Sequence, residues 1–322
     1  MMDTGTRPLD HDDALEEFLA TNSLFGGGLS NHGPMASEAL DHMGATEWID
    51  PFVRSYRPRL EPRVRPPARG GDWRAMLAEQ LPDLVPAAAA RAGHCLLRTA
   101  HAVRGIARAA AEGHVPTVRI DELGAALAHW RSDPGLPAPA ALSGDSSVDD
   151  WSAELAPLAT FEPAPGLLTN SLELAAAQPG YLDAVARLAP GADPRDGCDR
   201  LALRAVAGYL ENEDFSARFT LLHGVTVSTM ARVLVDHLDP PGQRRLEAAV
   251  AGFVAAAIIA FDRRTDTRDR SNIAAGPRLA ARAAATLDDH TIKLTDACLG
   301  LAARTGSDLP LRAAELQVQL TQ

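Results

Sequence analysis

Apolar residues recur at three- and four-residue spacing along most of the chain, in segments 13–21, 35–43, 86–112, 121–130, 199–212, 216–237, 243–261, 277–304 and 309–320. Alanine and leucine dominate these segments, so period and propensity agree on amphipathic helices. Asp121 before Glu122, Ser216 at the head of 216–237 and Pro277 in a first-turn position mark helix starts, and Gly44, Gly113 and Gly300 mark stops. No stretch alternates with a period of two, so the fold class is all-α. Two interruptions stand out. Residues 57–71 carry four prolines and residues 132–166 carry six with a Ser/Gly/Asp cluster, which reads as exposed connector or lid. A single multi-helix domain over 1–322, with a helix-lined apolar cavity at its centre, is expected, because candidate chemistry lies on both sides of each interruption. No repeat of 20–50 residues suggests a solenoid.

Composition narrows the function classes. At 46% hydrophobic and 23% charged residues, the 322-residue chain has an ordinary globular balance. A net charge of −11 speaks against a phosphate-backbone binder, so no nucleic-acid partner is expected. The longest apolar run, 250–261, is too short to span a bilayer. The acidic start, with Asp10, Asp12, Asp13 and Glu16, lacks the basic-then-apolar order of a secretory leader, and a cytoplasmic protein is expected. Cys95, Cys198 and Cys298 are odd in number and contain no CxxC pair. Nucleotide motifs are also missing: Phe25–Leu29 (FGGGL) lacks GxGxxG spacing, and there is no Walker lysine, GxSxG elbow or HExxH.

The informative residues are histidines and one lysine. Of ten histidines, His32 lies in a loop that delivers a helix, His94 and His223 lie in long apolar helices, and His290 precedes Lys293 by three positions. His290 and Lys293 therefore share a helix face, as do His94 and His101, with Arg98 between them. Glycines beside His32, His94 and His223 allow close backbone approach. Imidazole is the commonest protein ligand for iron, zinc, copper and nickel, although a lone helical histidine is more often a hydrogen-bonded structural residue. Lys293 is the only lysine in the chain. Lysine can lose its proton where arginine cannot, which opens nucleophile, Schiff-base or carbamate chemistry; a snorkelling surface lysine is the plain alternative. His11-Asp12-Asp13 and His237-Leu238-Asp239 contain the HxD fragment of an iron triad but fit helix caps better, and Glu211 and Glu213 read as a solvated acidic turn.

Five segments carry a family resemblance: 30–45 (SNHGPMASEALDHMGA), 54–62 (RSYRPRLEP), 93–106 (GHCLLRTAHAVRGI), 221–234 (LLHGVTVSTMARVL) and 289–299 (DHTIKLTDACL). Together, in this order, they resemble the questin oxidase-like family. The resemblance implies oxygen-dependent cleavage of anthraquinone-type polyketide rings. Some members are described as nonheme iron dioxygenases with four histidines and a carboxylated lysine, others as Baeyer–Villiger-type monooxygenases. Carried onto this chain, it implies Fe(II) on His32, His94, His223 and His290, with Lys293 as a carbamate made from carbon dioxide and His101 as substitute or supporting residue. Asp289 or Asp296 would orient a ligand histidine. Arg98, Tyr209 and Thr226 are the candidates for orienting phenolic or quinone oxygens. The implied partners are a small aromatic substrate and dioxygen. Three other readings stand beside it: an NADPH-dependent monooxygenase without metal, a zinc hydrolase on the same histidines, and a non-catalytic helical binding protein.

Overall fold

The computed structural model describes residues 7–262 and 273–322; the first six residues of the acidic start lie outside the described residues. The elements are α1 (His11–Leu19), a hairpin of β1 (Leu24–Phe25) and β2 (Leu29–Ser30), α2 (Gly33–His42), α3 (Ile49–Tyr56), α4 (Trp73–Leu84), α5 (His94–Ala111), α6 (Thr117–Trp130), α7 (Val148–Glu154), α8 (Leu168–Ala176), α9 (Tyr181–Ala186), α10 (Pro194–Glu211), α11 (Phe215–Leu234), α12 (Pro240–Phe261), α13 (Leu279–Ala285), α14 (Asp289–Thr305) and α15 (Leu309–Thr321). The protein is all-α; the antiparallel hairpin is its one sheet among the described residues.

Aspartates set many of the helix starts. Asp10 and Asp13 form a reciprocal capping box on α1, while Asp193, Asp214, Asp239 and Asp288 accept from first-turn amides of α10, α11, α12 and α14. Both HxD fragments are thus helix-capping sequences. The longest apolar run lies in α12, buried on every side from Leu246 to Phe261. No helix among the described residues is long and apolar enough to cross a membrane. One apolar cluster reaches from Met35 to Val318, across both proline-rich stretches.

Four helices form the frame of the site. α2 packs on α5, α5 on α11, α11 on α14, and α14 back on α2, closing a four-helix circuit. Farther along these helices, Glu38 of α2 bonds His101 and Arg104 of α5, and Arg104 bonds Asp296 of α14. Three N-termini, those of α2, α5 and α14, therefore lie at one end of the frame.

Two expected helices are shorter than their apolar patterns, and both differences matter. The pattern over 86–112 predicts an unbroken helix, yet α5 begins only at His94. Arg91, Ala92 and Gly93 all adopt left-handed φ values of 52°, 55° and 80°, which no right-handed helix accepts. Gly93 is required there twice over, since a Cβ would also stand 2.2 Å from Val227 Cγ2. The pattern over 277–304 is likewise split. Leu287 turns left-handed (φ 52°), and Asp288 then caps a new helix by accepting from the Thr291 amide at 2.7 Å and its hydroxyl at 2.8 Å. His94 and His290 consequently stand at helix starts rather than within helices. The FGGGL segment is the hairpin loop, with Gly26, Gly27 and Gly28 all at positive φ. The stretch 132–166 contains α7, capped by Ser147; α3, α4, α8 and α9 lie outside the expected segments because their apolar patterns are short or broken by proline.

Candidate metal centre

The four helices bring His32, His94, His223 and His290 together. Their ring centroids form a closed circuit: His32–His94 4.6 Å, His94–His223 4.9 Å, His223–His290 5.4 Å and His290–His32 4.8 Å. Residues far apart in sequence thus place four imidazoles side by side, each from a different helix or its cap.

Hydrogen bonds fix which nitrogen is free in three of the four rings. His223 Nδ1 donates to the Phe219 carbonyl at 2.7 Å, one helical turn back. His94 Nδ1 donates to the Arg91 carbonyl, which the left-handed turn aims at it. His32 Nδ1 donates to Asp289 Oδ2, and His290 Nδ1 lies 3.1 Å from the same oxygen. With Nδ1 protonated, the Nε2 atoms of His32, His94 and His223 each carry a lone pair. The Nε2 atoms of His94 and His223 then face each other at 3.3 Å, and His290 Nε2 is buried with no partner. A proton shared between two of these rings would need an imidazolium. Burial lowers the pKa of all four: His32 falls to about 3, His94 and His223 well below the usual range, and His290 below it. Opposed lone pairs in a buried site call for a cation between them.

The spacing fits one. Imidazoles bound to a single ion through nitrogen at about 2.0–2.1 Å have centroids roughly 4.5–5.5 Å apart, the range found here. A carboxylate oxygen of Asp289 joins His32 and His290 in a group whose ligand atoms all lie within 4.8 Å of one another. Asp289 is also placed as a carboxylate that would orient His32 and His290 on a bound ion, an arrangement that fixes tautomer and raises ligand basicity. Nitrogen donors of this kind suit iron, zinc, copper and nickel alike.

Lys293 is buried one turn after His290, with Nζ 3.9 Å from Asp289 Oδ2. Burial lowers its pKa to about 8 against the opposing pull of Asp289 and Asp288. Its charge is among the causes that depress the pKa of all four histidines. The lone lysine is part of the site and not a surface residue.

The other expected residues lie elsewhere. His101 is not a fifth imidazole of the group: its Nδ1 is bonded to Glu38 at 2.6 Å, in a separate buried cluster. Arg98 spans Glu122 (2.5 and 2.8 Å) and Ser23 (2.9 Å). Tyr209 donates to Gln317 at 2.7 Å inside the core, and Thr226 bonds carbonyls of its own helix at 3.2 Å. None of the three lines the cleft beside the histidines, so none is placed to orient a substrate there. Asp296, the other candidate for orienting a ligand, bonds His42 and Arg104 instead.

That cleft replaces the expected central cavity. It has a volume of about 470 Å³, and all four histidines reach its surface. Phe25, Leu29, Leu167, Leu168 and Phe219 supply apolar walls, with Tyr56 and Arg59 beside them. Phe219 lies 4.8 Å from His223 and 4.7 Å from His290, ring to ring. Tyr56 accepts a hydrogen bond from the His32 amide at 2.9 Å. Sequence reasoning missed Tyr56, Arg59 and Phe219. Phe219 had a signal, since it precedes His223 by one turn on an apolar helix; Tyr56 and Arg59 lie inside the 54–62 segment but carried no distinguishing pattern. No family model, curated protein or solved structure matches this chain.

Proposed function

We propose that the chain is a nonheme iron oxygenase acting on a flat polycyclic aromatic metabolite of the anthraquinone type, with His32, His94, His223 and His290 as ligands. The observation that carries the metal reading is the opposed, unprotonated Nε2 pair of His94 and His223, closed into a circuit by the other two rings. The reaction class rests on the resemblance to the questin oxidase-like family. Iron would supply the one-electron chemistry that lets dioxygen react with an electron-rich ring.

The chain's own residues would do the rest. Asp289 holds His32 in the tautomer that leaves Nε2 free, with His290 Nδ1 3.1 Å from the same oxygen. Phe219 offers a ring face next to the ligand imidazoles, against which a planar substrate can lie. Lys293 would take up carbon dioxide: its amine nitrogen bonds to the carbon, an electron pair moves onto oxygen, and the amine proton leaves. The resulting anion would offset part of the charge that four neutral imidazoles leave uncompensated.

The test is dioxygen uptake by the Fe(II)-loaded chain with a dihydroxyanthraquinone and no added reductant. Uptake matched to substrate loss, absent in the zinc-loaded chain, is the expected result. An iron-loaded chain that consumes no dioxygen, or that hydrolyses an ester only when loaded with zinc, would overturn the oxygenase reading.

A further inference from the structure

The cleft carries a charge that the metal reading leaves unused. Four charged side chains line it besides the histidines: Arg59, Arg91, Asp288 and Asp289. Three are already paired. Asp289 is bonded by His32 with Lys293 beside it, Asp288 caps α14, and Arg91 Nε lies 3.0 Å from Asp133. Arg59 alone among these four has no carboxylate partner among the described residues. Its guanidinium instead lies over the Tyr56 ring, 5.4 Å from the centroid. That contact leaves the planar fork of donors of the exposed side chain open.

Tyr56 ties this cation to the site. It accepts from the His32 amide on one side and packs against Phe25 at 6.4 Å on another. A ring lying between the apolar walls would therefore meet two polar features, the histidine cluster and the free guanidinium. An ionised oxygen pair on the ring's edge would give Arg59 the bidentate partner it lacks. A neutral ring would offer Arg59 no such partner.

We infer that Arg59 is a specificity-determining residue, and that the cleft selects aromatic acids, flat fused rings bearing a carboxylate or an equivalent anionic oxygen pair, over neutral rings of the same shape. The inference deepens the oxygenase reading by naming the charge class of its substrate, and it rests on that reading for the ring itself.

Calorimetric titration of the full-length chain tests it, with anthraquinone-2-carboxylate and the neutral anthraquinone-2-carboxamide as probes, and with iron content measured on the same samples. The wild type should bind the carboxylate about five- to tenfold more tightly than the amide, between the strength of an exposed ion pair and a charge-assisted hydrogen bond. Arg59→Gln should abolish the preference while leaving amide affinity unchanged, and Arg59→Lys should keep part of it. Equal affinities in the wild type, no binding of either probe, or a preference that survives Arg59→Gln would each overturn the inference. A preference that vanishes on iron removal yet persists in Arg59→Gln would assign the carboxylate to the metal and overturn it as well. A chain that holds no iron but keeps the Arg59-dependent preference would sustain the inference while the oxygenase reading fell.

Discussion

Two layers of the same helical frame contain buried histidines, and they differ in one respect. In the upper layer, His32, His94, His223 and His290 have their Nδ1 atoms against carbonyl or carboxylate oxygens, and the Nε2 atoms of His94 and His223 face each other. In the lower layer, His101 bonds Glu38, Glu38 bonds Arg104, and Arg104 bonds Asp296, which holds the half-exposed His42 at 2.6 Å. The lower layer is balanced by charges already in the chain. The upper layer instead sets the Nε2 lone pairs of His94 and His223 against each other, where a bound cation would balance them. What the second nitrogen faces, and not burial, distinguishes the two layers, since His32, His101 and His223 are all buried.

Breaking the lower layer should have the largest effect on folding. Glu38→Ala leaves Arg104 and His101 buried without their shared carboxylate, at a cost of about 3–5 kcal/mol. A fall of that size in the unfolding free energy by urea titration checks it. Burial opposes ionisation of Glu38, but Arg104 and His101 hold its pKa well below the usual carboxylate range. That stability is therefore present above the ordinary carboxylate pKa and is lost as the pH falls below it.

The upper layer should behave in the opposite way. His223→Ala removes one of two opposed lone pairs, so the metal-free chain should change in stability by less than about 1.5 kcal/mol, the volume-loss and repulsion effects opposing each other. Metal affinity should fall by about a hundredfold or more, as measured by competition with a chromogenic chelator. Unchanged metal binding would remove His223 from the ligand set. Asp289→Asn should have the smallest effect of the three on the site. It keeps the shape but not the charge that orients His32 and His290, and should weaken metal binding about 10- to 100-fold. Equal folding losses from His223→Ala and Glu38→Ala would erase the contrast between the layers.

Much of this was legible in the sequence. Three- and four-residue spacing gave the helical class because alanine-rich, amphipathic segments leave little choice of structure. His32, His94, His223, His290 and Lys293 could be named because each lies in a distinctive local segment, and the fold does bring the four histidines together, with Lys293 buried one turn after His290. What was hidden depended on tertiary contacts. His94 and His101 share a helix face and differ in their partners: His94 bonds the Arg91 carbonyl three residues away, and His101 bonds Glu38, 63 residues away. Arg98, Tyr209 and Thr226 have suitable chemistry for a substrate site, but packing commits their polar groups to Glu122, Gln317 and helix carbonyls. The left-handed residues Arg91, Ala92 and Leu287 have no glycine signal, so the breaks that expose His94 and His290 at helix starts could not be read from apolar spacing.

The most direct test of the central claim, that the four imidazoles hold an ion, is elemental analysis of the wild type beside His94→Ala and His223→Ala, each purified without added metal or chelator and then offered Fe(II) anaerobically. About one iron per chain in the wild type, and little in either variant, is the predicted result. A wild type that takes up no metal, or variants that hold as much as the wild type, would contradict it.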